Sequence, residues 1–122
     1  MKIASIIVIG NEILSGRTQD INSNYLAKKL SSIGVLLREI RVIPDEKSKI
    51  IEVVRIEAKK ADFVFTSGGI GPTHDDITAD SIAEAFNLKI DIREDAINEL
   101  AKNYPNGIKD LNSARLRMAR VP

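Results

Sequence analysis

The amino-acid sequence predicts an α/β protein with a mostly parallel sheet and helices on both of its faces. Three observations lead to this class. Residues 3–9 form a nearly continuous apolar run, as expected for a central strand buried on both sides. Strand-like and helix-like segments then alternate along the chain. Finally, a glycine-rich turn at residues 66–78 joins a short apolar strand to a helix, as in the βα connections of parallel sheets.

The elements of the first half are predicted from apolar spacing and from the residues that stop each run. The first strand ends at Gly10-Asn11-Glu12, which places a carboxylate at its carboxyl end. A helix capped by Asp20 or Asn22 follows, and Gly34 stops it. The side chains expected to pack from this helix are Tyr25, Leu26, Leu30 and Ile33.

The second strand, residues 35–43, is predicted at a sheet edge because charged side chains interrupt it. Pro44-Asp45 ends this strand, and Asp45 is expected to cap the next helix. The inward side chains of that helix are expected to be Ile50, Val53, Val54 and Ala58. Asp62 then introduces the third strand, residues 63–65.

The second half begins with the glycine-rich turn and a helix that Thr78 is placed to cap. Residues 88–92 alternate in polarity, which predicts a half-buried strand, and Asp95 is expected to cap the next helix. After a turn at residues 105–107, a last amphipathic helix is predicted to carry Met118 inward. Three arginines near its end are assigned to a solvated face: Arg115, Arg117 and Arg120.

Composition restricts the classes of function. The chain has 122 residues, 43% hydrophobic and 29% charged, which suits one soluble domain. A net charge of +1 gives no basic field for nucleic acid or an anionic membrane. Without cysteine there is no disulfide, thiol nucleophile or zinc–thiolate site. No apolar run approaches the roughly 20 residues of a membrane span, so a cytoplasmic protein is expected.

The glycine-rich turn indicates phosphate chemistry. Backbone N–H groups in such a turn and at a helix N-terminus attract anions. The adjacent Asp75 and Asp76 would repel a bare phosphate, and they suit a site in which Mg²⁺ lies between carboxylates and phosphate oxygens. Because Glu12 and Asp45 also follow strands of a parallel sheet, we expect metal and phosphate to share one cleft at the strand ends.

A purely structural interpretation of the same residues remains open. The glycines then serve a tight turn, and the two aspartates of the turn are solvated caps. Ser67 and Thr73 are common turn residues as well as phosphate donors. His74, the only histidine, is either a solvated loop residue or a phosphate contact and acid near neutral pH.

These motifs resemble the molybdopterin-binding domain family of molybdenum-cofactor biosynthesis. The matching segments, in the family's order, are residues 10–16, 20–23, 44–45 and 68–78. The first segment and the Pro-Thr-x-Asp-Asp-x-Thr form of residues 72–78 are most similar to the N-terminal domain of CinA-like proteins. Other members include molybdenum-cofactor adenylyltransferases, the G domain of gephyrin and a domain attached to eukaryotic FAD synthase.

The resemblance implies a three-layer α/β/α fold with a pterin- or nucleotide-phosphate pocket. In adenylyltransferase members, residues matching Asp45 and Asp76 are implicated in ATP-dependent, Mg²⁺-assisted activation of molybdopterin. CinA-like domains are associated with divalent-metal-dependent hydrolysis of ADP-ribose-type pyrophosphates, and FAD-synthase relatives with a related hydrolase activity. The expected function is therefore that of a pyrophosphatase, an adenylyltransferase, or a module that binds pterin or nucleotide without turnover.

The site residues are assigned as follows. Asp76 and Asp45 are expected to be catalytic, and the metal ligands are expected to be Asp76, Asp75 and Glu12. The residues assigned to ligand binding are Ser67, Gly68, Gly69, Gly71, Thr73, Thr78, Gly10 and Asn22.

Two further expectations come from the resemblance. The family continues beyond the point equivalent to Val121-Pro122 with another strand and more pocket wall, so the domain of residues 1–122 is expected to be shortened or part of a longer protein. Relatives form dimers or trimers, so a homo-oligomer with a small-molecule phosphate ligand is expected.

Overall fold

The computed structural model describes residues 1–122, which divide into two compact units, Met1–Gly68 and Gly69–Pro122. The first unit contains, in order, β1 (Ile3–Ile9), α1 (Asn11–Leu14), α2 (Asn22–Ser32), β2 (Leu36–Ile43), α3 (Lys47–Lys60) and β3 (Phe63–Ser67). The second contains α4 (Thr78–Ala85), β4 (Asp91–Ile92), α5 (Glu94–Ala101), a 3₁₀ turn (Gly107–Asp110), α6 (Ser113–Leu116), a 3₁₀ turn (Arg117–Ala119) and β5 (Arg120–Val121).

The sheet of the first unit is parallel, in the order β2-β1-β3. β1 therefore lies between two strands, and its residues from Ala4 to Ile9 are all buried. Near the carboxyl ends of the strands, Val8 is paired with Val42 on one side and Ser67 on the other. The predictions of a parallel sheet, a central first strand and an edge second strand are confirmed.

The helices of the first unit correct several local predictions. Asn11–Leu14 is a short helix rather than part of a loop. Asp45 is not the cap of α3, because the amide of Glu46 donates to the carbonyl of Pro44 and Glu46 itself takes the N-cap position. The buried side of α2 runs through Ser23 and Leu30, so Tyr25 on the opposite side is 67% exposed. Its predicted packing role, and that of the exposed Ile33, is wrong.

The second unit departs further from the predicted pattern. The strand predicted at 88–92 is reduced to Asp91–Ile92, both exposed and antiparallel to Arg120–Val121. The amide of Leu88 donates to the carbonyl of Ala83, which keeps Leu88 in the turn that ends α4. The predicted last helix is broken into three short pieces, because the side chain of Asn112 accepts from the amide of Arg115 and starts α6 anew.

Two helix starts in the second unit also differ from prediction. α4 begins at Thr78 with Ile77 at its N-cap position, because the amide of Thr78 donates to the carbonyl of Gly69. α5 begins at Glu94, and the side chain of Asp95 lies inside the helix, paired with Arg93. None of the helices has the length and apolar character that a membrane span requires.

Candidate functional site

A cavity of about 340 Å³ lies where β1 and β3 of the first unit end. The side chains of Glu12, Asp20, Asn22 and Ser67 line it, together with Gly68 and the apolar ends of the strands. Carboxylate, amide and hydroxyl oxygens of this kind are the ligands that Mg²⁺ and phosphate-binding sites use. The cavity therefore has the donor set of the predicted metal and phosphate cleft.

Backbone contacts draw the loop after β2 to the same edge. The amide of Gly10 donates to the carbonyl of Ile43 at 3.1 Å, and the amide of Asp45 donates to Oδ1 of Asn11 at 3.1 Å. The loops that follow β1 and β2 are thus hydrogen-bonded to each other. The first unit brings the predicted residues Gly10, Glu12 and Asp45 to the carboxyl edge of its sheet.

The N-terminus of α2 supplies one wall of the cavity. The carboxylate of Asp20 accepts from the amide of Ser23 at 3.1 Å, and Nδ2 of Asn22 donates to Oγ of Ser67 at 3.4 Å. The hydroxyl of Ser23, on a residue only 5% exposed, makes no hydrogen bond. Since helix N-termini attract anions, this wall favours a phosphate group, and Asp20 is a cavity residue that the sequence had marked only as a cap.

Gly68, directly after β3, also lines the cavity. Its φ angle is +97°, and a methyl group on its Cα would lie 1.9 Å from the carbonyl oxygen of Ile9. The glycine is therefore required by the backbone of β1. The role of Gly68 in ligand binding stays a prediction.

In the second unit, the glycine-rich turn packs against two residues of the same motif. A methyl group at Gly69 would lie 2.2 Å from Oγ1 of Thr78, and one at Gly71 would lie 2.8 Å from Oδ2 of Asp76. The predicted ligand-binding residues Gly69, Gly71 and Thr78 thus pack tightly within one turn and one helix start.

Asp76 closes its own turn. Its Oδ2 accepts from the amide and the hydroxyl of Thr73, each at 2.9 Å. Burial alone would raise the pKa of Asp76, but the hydrogen bonds from Thr73 and the amide of Gly71, together with the charge of Arg117, hold it below its ordinary value. The carboxylate is therefore ionised at neutral pH and fixed in position.

Asp75 has a different environment. Its side chain is 83% exposed and its Oδ1 lies 3.2 Å from Nε2 of His74, which is 92% exposed. The two adjacent carboxylates thus differ. That of Asp76 is hydrogen-bonded within the turn, whereas that of Asp75 is exposed to solvent beside the imidazole of His74.

A second cavity, of about 320 Å³, lies beside the glycine-rich turn within the second unit. Its walls include Gly69, Gly71 and Asp76 and three residues that the sequence did not mark as functional: Asp80, Arg117 and Arg120. Arg117 and Arg120 both pair with the carboxylate of Asp80, so their assignment to a solvated face is wrong. The guanidinium of Arg115 lies over the ring of Tyr104, with its Cζ 4.6 Å from the ring centroid.

The predicted metal ligands are distributed over both units: Glu12 belongs to the first, and Asp75 and Asp76 belong to the second. No group of three or more histidine, aspartate or glutamate side chains is arranged to hold a metal ion. Glu12 and Asp20 share the first cavity, and their oxygen atoms are of the hard type that Mg²⁺ prefers. The metal roles of Glu12, Asp75 and Asp76 stay predictions.

Comparison with known proteins decides the family. A model of the family described as "probable molybdopterin binding domain" matches residues 5–118. The chain belongs to this family. A protein of Metallosphaera sedula is 41% identical over 120 residues, which are 98% of this chain and 45% of that protein. A protein of Caenorhabditis briggsae named probable FAD synthase is 42% identical over 106 residues, which are 84% of this chain and 20% of that protein.

Solved structures agree with this assignment. The CinA protein of Thermoplasma acidophilum is 38% identical with a TM-score of 0.83, covering 99% of this chain and 70% of that one. The molybdopterin biosynthesis enzyme MoaB of Thermus thermophilus shares the fold at 22% identity, with a TM-score of 0.65 over 95% of this chain and 70% of that one. The predicted family and the mostly parallel α/β fold are confirmed. The chain spans about half the length of the archaeal relatives it matches.

Proposed function

We propose that this domain binds the phosphate groups of a nucleotide or pterin and hydrolyses ADP-ribose- or FAD-type pyrophosphates with a divalent cation. The observation that carries the proposal is the 340 Å³ cavity at the strand ends, which is lined by the two carboxylate residues Glu12 and Asp20 and by Asn22 at the start of α2. Similarity to proteins named probable FAD synthase supports a nucleotide ligand.

Each residue has a role in this proposal. The N-terminus of α2, with Asn22 and Ser67, donates hydrogen bonds to phosphate oxygens. Glu12 and Asp20, which line this cavity, would hold the cation. Asp45, in the loop after β2, and Asp76, in the turn of the second unit, keep the catalytic roles that the sequence assigns to them. When bound, Mg²⁺ offsets the charge that develops on the phosphate oxygens. A carboxylate that is not a metal ligand orients the attacking water and accepts its proton.

The second candidate is a molybdopterin adenylyltransferase, favoured by the family's description and by the shared fold of MoaB. In that reaction the phosphate of the pterin attacks the α-phosphorus of ATP and pyrophosphate leaves. A third candidate is a binding module in which the same cavity holds its ligand without turnover.

Chromatography after incubation with ADP-ribose, FAD or ATP, each with and without Mg²⁺, tests the proposal. We expect AMP and ribose 5-phosphate from ADP-ribose, AMP and FMN from FAD, and no product without the cation. Glu12→Gln and Asp76→Asn should each reduce turnover by about 100-fold or more, the scale of losing one electrostatic partner of the transition state. Glu99→Gln, which changes an exposed carboxylate paired with Lys102, is the matched control.

The outcomes separate the candidates. Pyrophosphate released from ATP only when a molybdopterin phosphate is added supports the adenylyltransferase. Saturable binding by calorimetry without any product supports the module. Full turnover in Glu12→Gln would overturn the assignment of the first cavity as the reaction site.

A further inference from the structure

Arg117 joins two distant segments of the second unit. Its Nε donates to the carbonyl of Thr73 at 2.7 Å, and its Nη2 donates to the carbonyl of Asp76 at 3.0 Å. These residues are 44 and 41 positions away in the sequence. The side chain is 26% exposed, and its hydrogen bond to Asp76 is partly buried, whereas the one to Thr73 is exposed.

Both acceptors belong to one four-residue turn. The amide of Asp76 also donates to the carbonyl of Thr73, at 3.1 Å, and the carboxylate of Asp76 accepts from the amide and the hydroxyl of Thr73. The guanidinium of Arg117 is therefore hydrogen-bonded to the same turn that the carboxylate of Asp76 closes. A planar fork that reaches two carbonyls at once is a property of arginine that lysine lacks.

Asp80 holds this arginine in place. One of its carboxylate oxygens lies 3.4 Å from Nη2 of Arg117, and the other accepts from Nη2 of Arg120. Asp80 is in the first turn of α4, directly after the glycine-rich turn. The direction of the guanidinium is therefore set by groups within the protein, before any ligand binds.

We propose that Arg117 is a positioning residue, which acts through the carbonyls of Thr73 and Asp76 to hold the Asp76 carboxylate in its working place. This inference rests on the proposed function, in which Asp76 takes part in the reaction. A structural clamp without a functional role would stabilise residues 113–121 and leave the kinetics of the remaining folded protein unchanged.

The test compares Arg117→Met and Arg117→Lys with Arg115→Met. Arg115 is the matched control because it also donates to a backbone carbonyl, that of Asp110 at 2.7 Å, and its guanidinium lies over the ring of Tyr104. Hydrogen exchange should be faster at residues 71–76 in Arg117→Met, by about tenfold or more, and unchanged there in Arg115→Met. In the folded Arg117→Met protein, kcat for ADP-ribose should fall by about 10- to 100-fold with KM within about threefold, as expected when a reacting group is misplaced.

Arg117→Lys should recover less than half of the lost protection, because one ammonium group does not replace the fork. Low concentrations of guanidinium chloride, well below those that unfold the protein, should restore part of kcat in Arg117→Met, whereas sodium chloride should not. Unchanged exchange at residues 71–76 in Arg117→Met, or an equal effect of Arg115→Met, overturns the inference. Absence of turnover in the wild-type protein overturns the proposed hydrolase instead, since the exchange comparison needs no substrate.

Discussion

Each of the two units is stabilised internally by a different kind of interaction. In Met1–Gly68, β1 lies between two parallel strands and buries every residue from Ala4 to Ile9, so burial of apolar side chains supplies the order. In Gly69–Pro122 the strands are only two residues long. Polar contacts of Arg117 with Asp76 and Asp80 connect the end of this unit to its first turn and helix. The difference predicts which substitutions destabilise each unit most. In the first unit they are those that meet the backbone of a strand, and in the second they are those that disturb contacts between side chains.

Two adjacent glycines show the contrast. Gly68 and Gly69 both have positive φ angles, of +97° and +67°. A methyl group at Gly68 would meet the carbonyl of Ile9, whereas one at Gly69 would meet the hydroxyl of Thr78. A strand backbone within a sheet moves little, and a side chain can change rotamer, so equal substitutions should have unequal costs.

The largest effect is expected for Gly68→Ala. We expect it to lower the free energy of unfolding by about 3–5 kcal/mol, because a left-handed conformation costs an alanine about 1–2 kcal/mol and the overlap with the backbone of β1 adds to it. Urea unfolding followed by circular dichroism measures the change.

Gly16→Ala provides the control for this substitution. Gly16 has a φ angle of +81° and no atom within 4 Å of the added methyl group, so it should cost only the conformational term of about 1–2 kcal/mol. Equal losses in the two variants would show that contact with Ile9 contributes nothing.

Gly69→Ala should have a smaller effect, of about 2 kcal/mol, since the methyl group would meet the buried side chain of Thr78 rather than the backbone of a strand. A double-mutant cycle with Thr78→Ala sharpens the comparison. Removing the hydroxyl should recover about 0.5–1 kcal/mol of the loss, measured by the same unfolding experiment. Strict additivity of the two substitutions would mean that Gly69 is required for its φ angle alone.

The same contrast explains what the sequence predicted. Apolar burial leaves a pattern along the chain, so the central β1 and the charged edge strand β2 were predicted correctly. The motif spacing also marked Asp76 and Gly68 as special positions. Helix starts were displaced by one or two residues, since local hydrogen bonds such as that from Glu46 to Pro44 decide them.

Polar contacts across long stretches of sequence could not be predicted in this way. The hydrogen bonds of Arg117 to residues 41 and 44 positions away follow no period, and three arginines near a chain end were therefore assigned to solvent. Nor did spacing indicate that the Asp76 carboxylate closes its own turn. Asp20 had been recognised as a cap, but its place in the cavity depends on how β1 and β3 end beside α2.

One charged side chain is buried in the first unit. Glu57 of α3 is 1% exposed and pairs with Arg41 of β2 at 3.4 Å. Burial alone would raise the pKa of Glu57, but its hydrogen bond with Glu39 and its contact with Arg41 hold it below the ordinary value. The hydrogen bond with Glu57 conversely raises the pKa of Glu39, and burial and the charge of Glu57 act in the same direction. The two carboxyl groups thus favour sharing one proton.

The smallest expected effect is that of Glu39→Gln, which appears as a change in pH dependence. Because the folded pKa of Glu39 is raised, its contribution to stability is present below its ordinary value of 4.5 and is lost as the pH rises through the folded value. Glu57 has the opposite sign: its contribution is present above 4.5 and is lost as the pH falls. A glutamine at position 39 can still donate to Glu57 and does not titrate. The variant should therefore gain stability relative to wild type as the pH rises from 4.5 through the folded pKa of Glu39, and it should keep the acid-side loss due to Glu57. Urea unfolding at a series of pH values measures the two curves, with Glu52→Gln, an exposed position of α3, as the matched control. Parallel curves for wild type and Glu39→Gln would contradict proton sharing. They would show that this pair of carboxyl groups contributes no pH dependence to the stability of the first unit.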